Sequence, residues 1–438
     1  MLERLFGLKA QGTNVRTEVL AGVTTFMTMA YIVVVNPAIL GEAGMPVAAV
    51  AAATCLAAGF GSILMGLVAN YPLALAPGMG LNAYFTYTVV KGMGVPWETA
   101  LGCVFLSGVA FLVLTLVGVR QMIVAAIPKP LFSAVAAGVG LFIAFIGLKE
   151  AGIIVPHPAT TVALGDLTTP TAAVAILGLV LIAVLQAWRV KGAILIGILL
   201  ASAAGWALGL AKIAPGTSSL ADLTATAFKM DIGGAFHLQG GMALAMLEIV
   251  FVFLFVDLFD NVGTLVAVTK KAGLQAPDGS IPRLNRILLA DSAATMVGAA
   301  AGTSTVVSYI ESASGVTAGG RTGLTAVVVG VLFLLTLFFA PLVQAIPAAA
   351  TAPALILVGA LMVGSLVDVD WADPTVAIPA FLTLITIPLT FSIANGLAFG
   401  ITSYAALRLL TGKIGKGDWL LLILAALFVV RFVYLAKG

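Results

Sequence analysis

Glu248-Ile-Val-Phe-Val-Phe-Leu-Phe-Val-Asp257-Leu-Phe-Asp260-Asn-Val-Gly-Thr-Leu is apolar enough to lie in lipid, yet it carries two carboxylates near its middle. A charged side chain at the bilayer centre costs about 3 kcal/mol or more, so neither aspartate faces lipid. At spacing i, i+3 on a helix the two share one face, and Asn261 and Thr264 extend it. That face is read as one wall of a polar cavity inside a bundle. The competing reading is a buried structural pair bonded to hydroxyls and backbone of neighbouring helices.

The rest of the chain agrees. Of its 438 residues 61% are hydrophobic and only 9% charged, far below the charge content of a soluble domain. The composition indicates a polytopic membrane protein and, with a net charge of only +3, no nucleic-acid partner. Arg4, Lys9 and Arg16 precede the first span. Arg120, Lys129, Arg189, Lys191, Lys270, Lys271, Arg283, Arg286, Arg321, Arg408, Lys413 and Lys416 fall between later ones. With a cytoplasmic N-terminus all of these lie inside, and only Lys91, Lys149, Lys212 and Lys229 lie outside, as the positive-inside rule requires. Residues 1 to 16 lack the pattern of a cleavable signal; Leu2, Leu5, Phe6 and Leu8 suit a short interfacial helix. Cys55 and Cys103 sit within apolar spans as small core residues, and His157 and His237 in polar connecting segments, so no metal site or cofactor is expected.

Apolar segments of spanning length run over 17–40, 47–70, 98–118, 129–148, 170–188 and 191–211, then 243–269, 284–301, 323–346, 350–367, 374–392, 394–410 and 418–436. Two shorter segments, Tyr71 to Val90 and Ala301 to Gly319, begin with extended stretches rich in Gly, Pro, Ser or Thr and leave room only for half-helices. The halves then match as seven plus seven, with 418–436 left over as an interfacial or peripheral helix. Ala126-Ile127-Pro128 followed by Gly140 recurs as Ala345-Ile346-Pro347 followed by Gly359, at an offset of half the chain. An odd number of segments per half makes the second copy inverted. Paired interrupted segments in an inverted repeat point to a transporter's midplane site.

The first interruption contains Pro77, Gly78 and Gly80 before a helix start near Asn82. Such backbone is tolerated at membrane depth only where it is buried in protein or lines a cavity. Asn82 either caps its own half-helix, contacts ligand, or does both. The second, Gly302-Thr-Ser-Thr-Val-Val-Ser308-Tyr309-Ile-Glu311-Ser312, places Glu311 at the start of the following half-helix, where the helix dipole favours a carboxylate. Asp291 either lines the route or bonds to the ends of the interrupted segments. Acids without an intramembrane Lys or Arg opposite them suit a cation, or a neutral heterocycle rich in N–H groups taken up with protons. One carboxylate can accept two parallel N–H bonds from a flat ring such as guanine. A second, among Asp257, Asp260, Glu311 and Asp291, can carry the proton. Phe26, Tyr84, Phe85 and Phe253 are available for stacking. No Gly-x-x-x-x-Gly-Lys-Ser/Thr loop marks an ATPase. The enzyme alternative, an intramembrane aspartyl protease, needs facing aspartates from different helices with a Gly-x-Gly-Asp segment; here the two aspartates share one helix, and Gly415-Lys-Gly-Asp418 falls in a polar stretch between apolar segments. An anion carrier or channel on the same fold would want a neutral or basic site.

These residues resemble those of the AzgA-type purine nucleobase permeases, a branch of the nucleobase transporter superfamily. The likeness is carried by Gly22-Val-Thr-Thr-Phe-Met-Thr-Met-Ala-Tyr31-Ile with Asn36-Pro37, and by Ala76-Pro-Gly-Met-Gly-Leu-Asn82-Ala-Tyr-Phe. It continues in Phe255-Val-Asp257-Leu-Phe-Asp260-Asn-Val-Gly-Thr264, Ala290-Asp-Ser, Gly302-Thr-Ser-Thr-Val-Val-Ser-Tyr-Ile-Glu311-Ser and Gly320-Arg-Thr-Gly323-Leu. The resemblance implies an all-α polytopic fold of fourteen transmembrane segments in a 7+7 inverted repeat, with short strands and half-helices in segments 3 and 10. It implies a core domain over 17–118 and 243–346 and a gate domain over 129–211 and 350–436, the latter including the C-terminal helix. Its expected activity is import of hypoxanthine, guanine or adenine by proton symport, with elevator-type movement of core against gate, in the bacterial inner membrane. Substrate binding falls on Asn82, Asp257, Asp260 and Glu311, with Phe26 and Thr264 beside them. A homodimer through the gate is a further expectation.

Overall fold

The computed structural model describes residues 2–118, 128–210, 222–234, 242–276, 280–413, 415 and 418–435. The long apolar stretches are helices, and short polar or proline-containing junctions set their starts. Asn14 accepts the Thr17 N–H at 3.0 Å, and Thr169, Asp373 and Ser392 accept N–H groups of their own first turns. Pro170 and Pro374 occupy first helical positions, where their missing N–H costs nothing.

In the first half, segment 1 is Val15–Gly41 and segment 2 Val47–Ala69. Segment 4 is Trp97–Val117, segment 5 Lys129–Glu150, segment 6 Pro170–Ala187 and segment 7 Ala193–Ala207. The second half has segment 8, Met242–Ala272; segment 9, Leu284–Ala301; segment 11, Gly323–Thr336; and segment 12, Ala348–Val363. Segments 13 and 14 are Pro374–Thr390 and Ile393–Leu410. Segment 1 is not one uninterrupted helix: it breaks at Ala30 and Tyr31 between Val15–Met29 and Ile32–Gly41, just ahead of Pro37, which donates no backbone hydrogen bond. Segment 11 tightens into a 3₁₀ stretch, Leu337–Ala345.

Segments 3 and 10 are the interrupted ones. Strand β1, Leu75–Pro77, leads into the half-helix Met79–Ala83, which widens into a π-helical stretch, Tyr84–Gly92. In segment 10 the half-helix is Ser312–Thr317, preceded by a strand, Val306–Ser308. Between these two strands in sequence lies an exposed hairpin, β2 (Ile154–His157) with β3 (Thr161–Leu164), so Val306–Ser308 is β4. His157 lies at the hairpin's turn, exposed, its Nδ1 3.3 Å from the Ala159 N–H; His237 lies outside the described residues.

β1 and β4 pair antiparallel in the buried interior, with Leu75 opposite Ser308, Ala76 opposite Val307 and Pro77 opposite Val306. Because the strands run oppositely, the half-helices that follow leave the sheet in opposite directions. Two strands alone have unpaired outer edges, which lipid-depth surroundings cannot solvate. Side chains from neighbouring helices close both. Ser62 of segment 2 accepts the Leu75 N–H at 2.9 Å and donates to the Leu75 carbonyl at 3.1 Å. Thr295 of segment 9 treats Val306 the same way, at 3.3 and 2.9 Å. Segments 2 and 9 are counterparts in the inverted repeat, so one device appears twice.

Counterpart segments also meet directly. Segment 2 packs on 9, β1 on β4, and 5 on 12, as expected around a pseudo-two-fold axis. Gly140 and Gly359 face each other there: a Cβ on Gly359 would lie 2.3 Å from the Gly140 carbonyl oxygen. The densest packing falls into two groups, one joining segments 1, 2, 4, 8, 9, 10 and 11, with β1 of segment 3 packed on segment 2 and on β4, the other joining 5, 6, 7 and 12 to 14. Trp419–Leu435, the segment left over from the repeat, packs along segment 14 with Leu421 and Phe428 buried. The side chain of Arg431 lies outside the described residues. Phe6, on the short N-terminal helix Leu2–Phe6, packs with Leu8 on Leu324.

Candidate functional site

Segment 8 delivers its acids differently from one another. Helical positions three apart differ by about 60° around the axis, and here that angle separates two environments. Asp260 lines a cavity of about 390 Å³ together with Thr264, Glu311, Phe132, Ser133 and Asp368. Asp257 is only 2% exposed and is turned instead into a buried network. Asn261 donates to Asp257 Oδ1 at 2.7 Å and to Asp291 Oδ2 at 2.9 Å, and its own Oδ1 accepts the Ser308 N–H at 3.0 Å. Asp291 therefore bonds, through Asn261, to the interrupted backbone of segment 10.

Glu311 occupies the N-cap position of the Ser312–Thr317 half-helix, without capping it by its side chain. Its Oε1 accepts a 2.7 Å hydrogen bond from the Tyr31 hydroxyl. Tyr31 lies at the break in segment 1, so one irregularity serves another. A smaller cavity, about 90 Å³, continues between the two interruptions and is lined by Tyr31, Gly78, Gly80, Asp260, Ser308 and Glu311. The first N–H groups of the half-helix Met79–Ala83 border it, unpaired within their own helix. Ser308 Oγ is buried with no hydrogen-bond partner among the described residues. Tyr309 donates to the Pro77 carbonyl at 2.5 Å, locking the strand pair.

Asn82 is fully buried one turn into its half-helix. It donates to Asn36 Oδ1 at 2.5 Å and accepts from the Ser304 hydroxyl, while Asn36 donates to Thr54 and Thr303. It thus ties segment 3 to segments 1, 2 and 10 rather than lining either cavity. The expected stacking residues pair with other aromatics: Phe26 edge-on to Phe333 at 5.2 Å, and Tyr84 to Phe253 at 5.1 Å. The structure therefore brings Asp260, Thr264 and Glu311 together at a cavity wall and places Asn82, Asp257, Asp291 and Phe26 in the packing behind it. Tyr31 and Ser308 belong to the wall, and only their hydroxyls, inside otherwise apolar or interrupted segments, hint at it in the sequence. Val139, Val358 and Met362 form the opposite side; nothing in the sequence marks them.

Among the described residues no Lys or Arg lines these two cavities, whereas Asp260, Glu311 and Asp368 do. A free anion meets no positive partner here. A flat molecule with N–H donors meets two carboxylates, hydroxyls and backbone N–H groups. The cavity runs from mid-span toward the ends of segments 5, 8 and 12 that carry Lys129, Lys270, Lys271 and Asp368. At the other end the two helix groups are bonded together: Tyr87 donates to Glu150 Oε1 at 2.5 Å, and Thr88 donates to the Phe391 carbonyl at 2.5 Å.

Residues 16–399 match a family described as the Permease family, Xan_ur_permease. Three similar proteins span nearly the same length. A putative permease of Methanocaldococcus jannaschii is 52% identical over 99% of both chains. Adenine permease AdeP of Escherichia coli is 46% identical over 99% of this chain and 96% of its own. Guanine/hypoxanthine permease PbuG of Bacillus subtilis is 44% identical over 99% and 100%. Among solved structures, the transmembrane domain of the cyanobacterial bicarbonate transporter BicA superposes with a TM-score of 0.64, covering 90% of this chain and 97% of that one at 15% identity. At that identity the likeness speaks for the fold alone.

Proposed function

This chain belongs to the Permease family, a transporter rather than an enzyme, and we propose that it imports purine nucleobases by proton symport. The observation that carries the reading is the wall formed by Asp260 and Glu311 with Tyr31, facing a cavity with no basic residue among the described residues of its lining. Hypoxanthine, guanine and adenine each present ring or exocyclic N–H groups in one plane that carboxylates accept, and guanine presents two of them side by side as a parallel pair. Among the described residues nothing hydrogen-bonds the Asp260 carboxylate, so both its oxygens are available to the purine. Glu311 has one oxygen engaged by Tyr31 and takes the proton. Asp257 and Asp291 hold Asn261, and through it β4, in place.

The two helix groups correspond to a core, 17–118 with 243–346, and a gate, 129–211 with 350–436. Elevator-type movement of one against the other would carry the site across the membrane. By the positive-inside rule the N-terminus is cytoplasmic and the 390 Å³ cavity opens inward. The setting is the bacterial inner membrane, and a homodimer would form through the gate. An anion carrier on the same fold is disfavoured by the acidic lining.

The test is thermal stability of the detergent-solubilised protein with added ligand. Guanine, hypoxanthine or adenine should raise the melting temperature, and sulfate and bicarbonate should not; no shift with any purine would sink the reading. Uptake of labelled purine, with and without a protonophore, checks the coupling.

A further inference from the structure

Glu311 and Leu361, which line the 390 Å³ cavity, also line a second cavity of about 140 Å³ whose other walls are different residues. Its remaining walls come from both helix groups: Thr28 and Ser314 from segments 1 and 10, and Gln186, Val190 and Gly192 from the junction between segments 6 and 7. The inner end is polar. Thr28 Oγ1 and Ser314 Oγ lie 3.0 Å apart, and Ser314 donates to the Glu311 backbone carbonyl at 2.7 Å. The outer end is Gln186, exposed in the last turn of segment 6 just ahead of the junction that carries Arg189 and Lys191, a cytoplasmic junction by the charge rule. Lys191 itself reaches across to Thr24 Oγ1 at 3.2 Å, beside this cavity. A chamber of this volume with several hydrogen-bonding walls holds more than one water. It is too small and too narrowly polar to be a second copy of the purine site.

We propose that this chamber is a proton port, giving Glu311 exchange with cytoplasmic water by a path separate from the one the purine takes. The inference rests on the proton-symport reading above. With purine filling the main cavity, the carboxyl group of Glu311 has lost water on that side. The chamber then supplies it from behind. The protonated carboxyl gives its proton to a chamber water, leaving a carboxylate held by the Tyr31 hydroxyl, and the proton leaves as hydronium past Thr28, Ser314 and Gln186. The groups facing Glu311 from other elements are Tyr31 of segment 1 and Asp260 of segment 8, with Tyr309 beside it in the chain. None lies among the chamber's other walls.

The experiment fills the chamber and compares two modes of transport in proteoliposomes. Exchange of labelled for unlabelled purine needs no net proton release, whereas accumulation driven by an imposed proton gradient does. Thr28→Leu and Ser314→Leu should leave exchange near the wild-type rate and lower accumulation about tenfold, and Thr28→Ser should restore it. Purine-induced stabilisation in detergent checks that the variants fold and bind. Where Thr28→Leu does not insert, Thr28→Val, which removes the hydroxyl with little added bulk, makes the same comparison. Equal loss of exchange and accumulation, or no change in either, would overturn the port. Wild-type accumulation that is insensitive to a protonophore would instead remove the symport reading on which it rests, and the port with it.

Discussion

Asn261 joins the 31-residue helix of segment 8 to the three-residue strand β4: its side-chain oxygen accepts the Ser308 backbone N–H at 3.0 Å, inside the membrane. The same side chain gives its N–H groups to Asp257 and Asp291. One amide therefore links three elements of the second half, segments 8, 9 and 10, and Asp260 and Glu311 depend on those elements for their own positions.

Asn261→Ala should lower the melting temperature by several degrees. It leaves two buried carboxylates and one backbone N–H without this partner, and an unsatisfied buried group costs about 1–3 kcal/mol, more when charged. Asp257→Ala should act in the same direction. Differential scanning fluorimetry of the purified protein measures both, and a wild-type melting temperature in Asn261→Ala would show the network to be dispensable.

Asp260→Asn should behave in the opposite way. Nothing among the described residues bonds this carboxylate, so stability and insertion are retained while the purine-induced rise in melting temperature disappears. Glu311→Gln should keep that rise in part and lose proton-driven accumulation. If Asp260→Asn still takes up purine normally, the substrate is held elsewhere.

Tyr31→Phe removes the hydroxyl that donates to Glu311 among the described residues. A hydrogen bond to a charged group contributes about 1.5–3 kcal/mol, so uptake at subsaturating purine should fall roughly tenfold or more, since about 1.4 kcal/mol is a factor of ten. Initial-rate measurements over a range of purine concentrations test this.

Gly359→Val should destabilise severely. Its Cβ would meet the Gly140 carbonyl oxygen at 2.3 Å, and backbone on backbone cannot yield as a flexible side chain can. Retention of folded protein on a detergent gel-filtration column is the readout; normal yield would mean that segments 5 and 12 can separate.

Tyr87→Phe, with Glu150→Gln beside it, should loosen the closed end of the molecule. These residues, with Thr88 and the Phe391 carbonyl, bond the two helix groups where the cavity does not reach. Under elevator movement they must part for the opposite face to open. Labelling by a membrane-impermeant thiol reagent of a cysteine placed at Val139, in the cavity wall, should become faster from outside in these variants.

Much of this was legible in the residues. Cost forces acids out of lipid, Gly and Pro interrupt helices, and apolar length counts spans. From these alone come fourteen segments, two interruptions, and Asp257, Asp260 and Glu311 as residues of interest. The Ala-Ile-Pro and Gly match between halves, weak as a pattern, coincides with Gly140 and Gly359 lying against each other at the junction of the repeats. Spacing along a helix could not separate Asp257 from Asp260, because a rotation of about 60° has opposite consequences depending on what packs against each position. Asn261, Asp291 and β4 come from three different parts of the chain, and only their convergence makes Asp257 structural and leaves Asp260 to the cavity. The opposite wall of Val139, Val358 and Met362 was invisible for a related reason: apolar residues in a span look alike until something packs against them, or fails to. Local chemistry determined which residues must leave lipid; the assembled fold decided which of them met a partner and which met open space.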